Sequence, residues 1–253
     1  MSFELNALIH RLERAQARQN DRFNLASGGR SLPIGGGFAH FRGEGHPLNQ
    51  ALGLVEPISE EALSEVEAML GHPVVLELSP AADPDLWSLL AARGYRLHQF
   101  QQQLVREIRH QELAESPWEI RVARPDEGTL HAKIMEAGFT ERDDWQELEP
   151  SFAIPEGVEG CQRFLAFIED DPAGAAVLGW NDGVAMLSGD AVLPRFRGQG
   201  LQKALIRARL RVAKDLGCEL ATASTLPSSA SQRSYEACGF QVAYPKVEMA
   251  RDA

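Results

Sequence analysis

Between an apolar run, Val184 to Leu193, and a helix-periodic run that opens at Leu201, the chain places Arg195-Phe196-Arg197-Gly198-Gln199-Gly200. A strand feeding Arg-x-Arg-Gly-x-Gly and then a helix leaves several backbone N–H groups, unobstructed at the two glycines, at the positive end of a helix dipole. Such a turn suits a phosphate, and Arg195 and Arg197 add charge suited to a pyrophosphate or a 3′-phosphate. A basic turn of no further purpose is the other reading, and the surrounding elements have to decide between them.

Those elements follow from periodicity and turn chemistry. Trp118 to Ala123 alternates around Ile120 and Val122 as a strand, and Arg124-Pro125-Asp126 starts a helix running to about Ala137. After a loop-rich acidic stretch come strands over 161–169 and 174–180, turned by Asp170-Asp171-Pro172. Asn181-Asp182-Gly183 is a hairpin signal, since an Asp-Gly pair accepts positive φ, and the strand after it, Val184 to Leu193, is apolar on both faces and central. Leu201, Leu205, Ala208, Val212 and Leu216 mark one face of a long helix that Gly217 stops. A strand over Glu219 to Ser224, a short helix over about 229–238, and a last strand from Phe240 to about Met249 complete the order. The expected architecture is α+β, a mixed and mostly antiparallel central sheet flanked by helices.

The first half repeats the ending of the second. Leu89 to Tyr95 stands 145 residues before Ser234 to Phe240, each placing a helix, a glycine and an aromatic ahead of a final strand. Val74 to Leu78 matches the strand from Glu219 in the same offset, which predicts a tandem duplication: domains over 1–112 and 118–253, joined near 110–117. An apolar stripe at Leu5, Leu8, Ile9 and Leu12 predicts a packed helix over 3–17 in place of a targeting segment.

Composition narrows the partners. The formal net charge is −11 and both halves are acidic, so a basic surface for nucleic acid or anionic lipid is not expected, while cationic small molecules or peptides are compatible. The sequence holds no apolar run of about 18 residues to span a bilayer, and the cytoplasm is the expected location. Cys161, Cys218 and Cys238 lack disulfide or zinc spacing and read as free thiols, and no metal is implied by the seven histidines.

With these elements in order, Arg195 to Gly200 resembles motif A, Gln/Arg-x-x-Gly-x-Gly/Ala, of the GNAT superfamily of N-acetyltransferases, and the family's order of elements matches residues 118–250. Ser231-x-x-x-Tyr235-x-x-x-Gly239-Phe240 resembles its closing motif B. The resemblance implies two acyl-CoA N-acyltransferase-like domains and an acetyltransferase using acetyl-CoA as cosubstrate, with an amine of a small molecule or peptide as acceptor. It implies that acetyl-CoA lies in a V-shaped opening between the strand ending at Leu193 and the strand from Glu219, with Ala191, Val192 and Leu193 along the pantetheine arm. Arg195, Arg197, Gly198, Gln199, Gly200, Leu201 and Gln202 would surround the pyrophosphate, with Ser231 nearby, and an amide near Val192 or Leu193 would hold the thioester oxygen. Gln202 departs from the small residue usual after the loop, and Ser228 from the usual asparagine of motif B.

For catalysis the resemblance places Tyr235 where many members keep the proton donor to the departing thiolate; a tyrosine packed with its hydroxyl satisfied locally is the other reading. Met186 stands where many members carry a glutamate base, so Asp190 is the nearest carboxylate, either the base or a bulge residue beside Gly189. Glu141, Asp143 and Asp144 either attract a cationic amine or form a solvated face. Shifted by 145 residues, motif A lands on Gln50 to Val55, which keeps Gln50 and Gly53 but loses the second glycine and both arginines. The first domain therefore reads as a degenerate copy, and a non-catalytic acyl-CoA-binding or sensing protein stands as the alternative to an enzyme. The acceptor and the oligomeric state are not specified by these residues.

Overall fold

The computed structural model describes residues 3–108, 116–151 and 153–252, and most of the expected junction at 110–117 lies outside them. Contacts divide the chain into two units, one of residues 1–103 and 242–253, the other of residues 104–241.

The second unit carries β6 (Glu119–Val122), α4 (Gly128–Phe139), β7 (Cys161–Ile168), β8 (Asp171–Asn181), β9 (Val184–Val192), α5 (Leu201–Asp215), β10 (Leu220–Thr225) and α6 (Ala230–Glu236). Its strands are ordered β10-β9-β8-β7-β6. Every neighbouring pair is antiparallel except β9 with β10, which run parallel. The far edge of β10 is covered by the end of β5 (Arg96–Glu107), whose residues from Leu104 belong to this unit; Thr222 Oγ1 donates to Leu104 O at 2.8 Å there. Leu201, Leu205, Ile206 and Leu210 of α5 pack with Phe164, Leu178, Leu187, Ala221 and Tyr235 in one apolar core. At about 2 kcal/mol for each large aliphatic side chain buried, the flank of α5 holds the helix in place, so its N-terminal turn need not contribute to stability.

The first unit carries α1 (Phe3–Ala26), β1 (Arg30–Ile34), β2 (Gly37–Phe41), β3 (Gln50–Leu52), α2 (Glu60–Leu70), β4 (Val74–Leu78), α3 (Pro84–Ala92), the start of β5, and β11 (Gln241–Arg251) from Val242 onward. Its pairings follow the same series, with β1–β2 and β2–β3 antiparallel and β3–β4 parallel. Strand, helix, strand, helix, strand over β3-α2-β4-α3-β5 has the same order as β9-α5-β10-α6-β11.

Three differences from the sequence reading have physical causes. The helix α1 runs to Ala26 instead of about 17, because its later buried face is carried by Ala15, Ala17, Gln19 and Asn24 and not by large aliphatics, until Gly28 stops it with positive φ. The turn before β8 falls at Glu169-Asp170, with Glu169 in the left-handed region, and Asp171 and Pro172 already pair with β7. The last strand was expected in the second domain, yet β11 pairs antiparallel along β4 from Val247↔Leu78 to Arg251↔Val74. Alternation explains this: Val247 and Met249 pack on the apolar core of the first unit, while Lys246, on the other face, reaches Glu13 and Glu77, each at 2.8 Å.

Among the described residues no helix is long and apolar enough to cross a membrane, and no three potential metal ligands converge.

Candidate active site

The parallel pairing of β9 with β10 covers only Val184↔Leu220, Ala185↔Ala221 and Met186↔Thr222, whereas β9 continues to Val192 and β10 to Thr225. Beyond Met186 the paired register ends, which leaves the facing edges of the two strands as an opening in the ladder. A bulge lies beyond the last pair: Ala175 stands opposite Ala191 and Val177 opposite Ser188, so Gly189 and Asp190 together face Ala176. Gly189 has φ +64°, and a Cβ there would fall 3.1 Å from Val177 and 3.2 Å from Met135 of α4, so glycine is required.

At the far end of the opening the chain turns into α5. Gly198 and Gly200 have φ of +77° and +82°, and Gly200 is the N-cap with no side-chain hydrogen bond to the helix. The first helical bond is made by Ala204 N to Gly200 O at 3.1 Å, so the amides of the preceding turn have no partner in the helix. The equivalent helix of the first unit is finished differently. Ser59 caps α2 by accepting from Ala62 N, with Glu60 and Glu61 in its first turn, and the amides of Val55 and Glu56 both donate to Gly35 O. One helix N-terminus is closed by its own sequence and the other is left open.

Along β9, Leu193 N–H donates to Ala173 O at 3.0 Å, so it is held in the ladder and does not face the opening. Successive residues of an antiparallel strand turn their amides to opposite edges, which directs the N–H and C=O of Val192 toward the opening. Val192 O accepts there from Arg197 Nε at 3.0 Å. Arg197 also donates through Nη2 to Gly138 O at 2.8 Å and pairs with Glu141, tying the end of α4 to the end of β9. The Arg195 amide donates to Asp143 at 3.1 Å, its guanidinium lies 4.7 Å over the Phe196 ring, and Asp144 pairs with Arg142. Of the acids read from sequence as an amine-attracting group or a solvated face, Glu141 and Asp143 contact the loop, Asp144 pairs within its own segment, and Glu141 and Asp144 are exposed. Leu201 is buried in the core, Gln199 is exposed, and Gln202 Nε2 donates to Ser231 Oγ at 3.1 Å, joining α5 to α6.

Tyr235 and Asp190 are brought together. Tyr235, 1% exposed and edge-to-face with Phe240, donates its hydroxyl to Asp190 and lies 3.5 Å from Leu187 O. Burial first, then the adjacent carboxylate, pushes the Tyr235 phenol well above its ordinary range. The other oxygen of Asp190 is taken by Arg209 of α5. Arg209 is 0% exposed. Sequence reasoning passed over it, although it stands four residues after the core residue Leu205; of the stripe drawn to Leu216, Val212 packs on the core and Leu216 is exposed. His131 of α4 was also missed: its Nε2 donates to Ala176 O at 3.0 Å, and burial lowers its pKa to about 4.

Comparisons with known proteins find chains of the same fold. The chain is similar over 96% of its length to 95% of a GCN5-related N-acetyltransferase from Kribbella flavida, at 18% identity and a TM-score of 0.69. It is similar over 87% of its length to 81% of a tandem GNAT protein from the clavulanic acid biosynthesis pathway, at 16% identity and a TM-score of 0.59. A GCN5-related N-acetyltransferase from Sphaerobacter thermophilus matches at 14% identity and a TM-score of 0.55, over 80% of this chain and 71% of that one. No curated protein matches in sequence. The sequence profile of the Acetyltransferase (GNAT) family matches residues 100–240, which span the bulge, the glycine turn and Tyr235, and the chain therefore belongs to that family.

Proposed function

We propose that the second unit transfers the acetyl group of acetyl-CoA to a primary amine of a small molecule or peptide by direct attack within a ternary complex. The observation that carries this reading is the uncapped α5 turn, Gly198 to Gln202, set beside the capped equivalent on α2. Free amides at a helix N-terminus suit a pyrophosphate, and the open edge of β9 at Val192 suits an amide-bearing arm.

Acetyl-CoA supplies an acyl group activated as a thioester. The Val192 N–H would donate to the carbonyl oxygen as it gains negative charge. The amine lone pair forms the new N–C bond, the C–S bond breaks, and the sulfur leaves with its electron pair. Tyr235 supplies a proton to that thiolate, the nitrogen gives its own proton to solvent, and the phenol is restored from there.

The missing carboxylate at Met186 and the full engagement of Tyr235 and Asp190 favour a second reading, an acyl-CoA-binding or sensing protein without turnover. One experiment separates them. Acetyl-CoA is expected to raise the melting temperature of the wild-type protein, and Gly200→Asp, which puts a carboxylate and a strained positive-φ side chain into the open turn, is expected to abolish the shift. CoA release with a panel of primary amines should follow in wild type and fall about 100-fold in Tyr235→Phe. Binding without release on any amine would favour the sensor, and no thermal shift would sink both readings.

A further inference from the structure

Asp190 is the carboxylate that Tyr235 touches, and its surroundings argue against the role of base. Arg209 Nη1 donates to Val177 O at 2.9 Å and to Ser188 O at 3.1 Å, the carbonyls of the last paired residues before the bulge. Its Nε donates to Leu205 O at 3.2 Å, one turn back on α5, and its Nη2 pairs with Asp190 Oδ1. The guanidinium is thus fixed by helix, strands and carboxylate at once, in a core that excludes water. The remaining oxygen of Asp190, Oδ2, accepts the Tyr235 hydroxyl. A guanidinium does not give up its proton. If Asp190 accepted one from an incoming ammonium, Arg209 would be left an unpaired cation in an apolar interior, a state that proteins avoid.

We infer that Arg209 and Asp190 are a positioning pair: Arg209 locks the bulge and the Asp190 carboxylate, Asp190 fixes the Tyr235 phenol by accepting its hydroxyl, and neither takes a proton from the acceptor. This rests on the acetyl-transfer reading above. Its chemical consequence is that the amine has to reach the site with its lone pair already free, so the acidic limb of the rate profile belongs to the acceptor and not to the protein.

The test is kcat/KM against pH with acetyl-CoA and two primary amines of different basicity, drawn from a panel that begins with benzylamine and glycinamide. The proteins are wild type, Asp190→Asn, Arg209→Lys, Arg209→Met, and the double variant Asp190→Asn/Arg209→Met, which removes both buried charges together and so keeps the fold if Arg209→Met alone does not. In every folded protein the acidic limb is expected to move with the amine. Asp190→Asn, whose amide oxygen still accepts from Tyr235, is expected to lose about tenfold or less in kcat, with the KM for acetyl-CoA changed by about twofold at most. Arg209→Lys should recover part of the kcat lost in Arg209→Met, or in the double variant if the single does not fold. A loss of about 100-fold or more in Asp190→Asn, with an acidic limb that ignores the amine in wild type and vanishes in the variant, would make Asp190 the base and overturn the inference alone. Wild-type protein that binds acetyl-CoA but releases CoA with no amine overturns the transfer reading and the inference with it.

Discussion

At the scale of single residues, His131 couples the site to pH without touching the opening. Its ring is buried on α4, and its Nε2 donates to the carbonyl of Ala176, the β8 residue that faces the two bulge residues of β9. Burial pushes its pKa down to about 4, although the Ala176 bond acts in the other direction. An unfolded histidine titrates near about 6.5. The folded-state value is the lower one, so the neutral ring's contribution is complete above about 6.5 and is lost as pH falls through the window toward 4. Its size is on the order of 3 kcal/mol. Urea unfolding of wild type and His131→Gln at a series of pH values checks this. The variant is expected to be the less stable protein at pH 7.5, and the gap should close as pH falls to about 4.5; a gap that stays constant would show that His131 does not titrate in this range. His40 of the first unit, also lowered to about 4 by burial, contributes equally to both proteins and cancels in the comparison.

At the scale of elements, the opening depends on how closely α4 lies on β9. A Cβ on Gly138 would fall 2.7 Å from the Ala191 Cβ and 3.2 Å from Val192 N. Helix propensity alone favours Gly138→Ala by about 1 kcal/mol, but a clash against backbone that cannot yield costs about 1–3 kcal/mol. The clash is expected to win. Gly138→Ala should lower the melting temperature and weaken acetyl-CoA binding about threefold or more, because the Arg197 Nη2 bond to Gly138 O and the Val192 edge shift together. Unchanged binding, measured by calorimetry, would separate α4 from the site. The same elements mark what was legible in the sequence. Gly198, Gly200 and Tyr235 could be read because backbone geometry and chemistry restrict those positions to very few residue types. The acids at 141–144 could not, since a solvated carboxylate and one that braces an arginine or a loop amide look alike in sequence. Arg209 was hidden for the opposite reason, because a charged residue near an apolar stripe reads as its solvated border unless its partner, nineteen residues earlier on β9, is already known. Gly138 carried no signal at all, because its requirement comes from a strand some fifty residues away.

At the scale of the whole molecule, chain order and fold disagree. Residues 242–253 belong to the first unit, yet the whole of the second unit separates them from the rest of it. The charge cluster on β11 shows what their loss would do. Lys246, Glu13 and Glu77 are all buried; Tyr244 donates to Glu13 at 2.7 Å and Gln16 accepts from Lys246 at 3.0 Å. Burial raises the Glu13 carboxyl pKa despite the ammonium beside it, so this cluster is held together by its full set of partners. Deleting one side of a buried pair costs about 3–5 kcal/mol, and Val247 and Met249 would each forfeit about 2 kcal/mol of burial. Together these are comparable to the 5–15 kcal/mol that holds a typical domain folded. Truncation after Gln241 is therefore expected to unfold residues 1–103 while residues 104–241, which lose no strand, stay folded. Hydrogen exchange should show α1, α2 and α3 unprotected and α5 protected, and the thermal shift with acetyl-CoA should survive. Protection retained in α1 to α3 would mean that β11 contributes little to the first unit. Loss of protection in α5 would mean that the two units fold only as one.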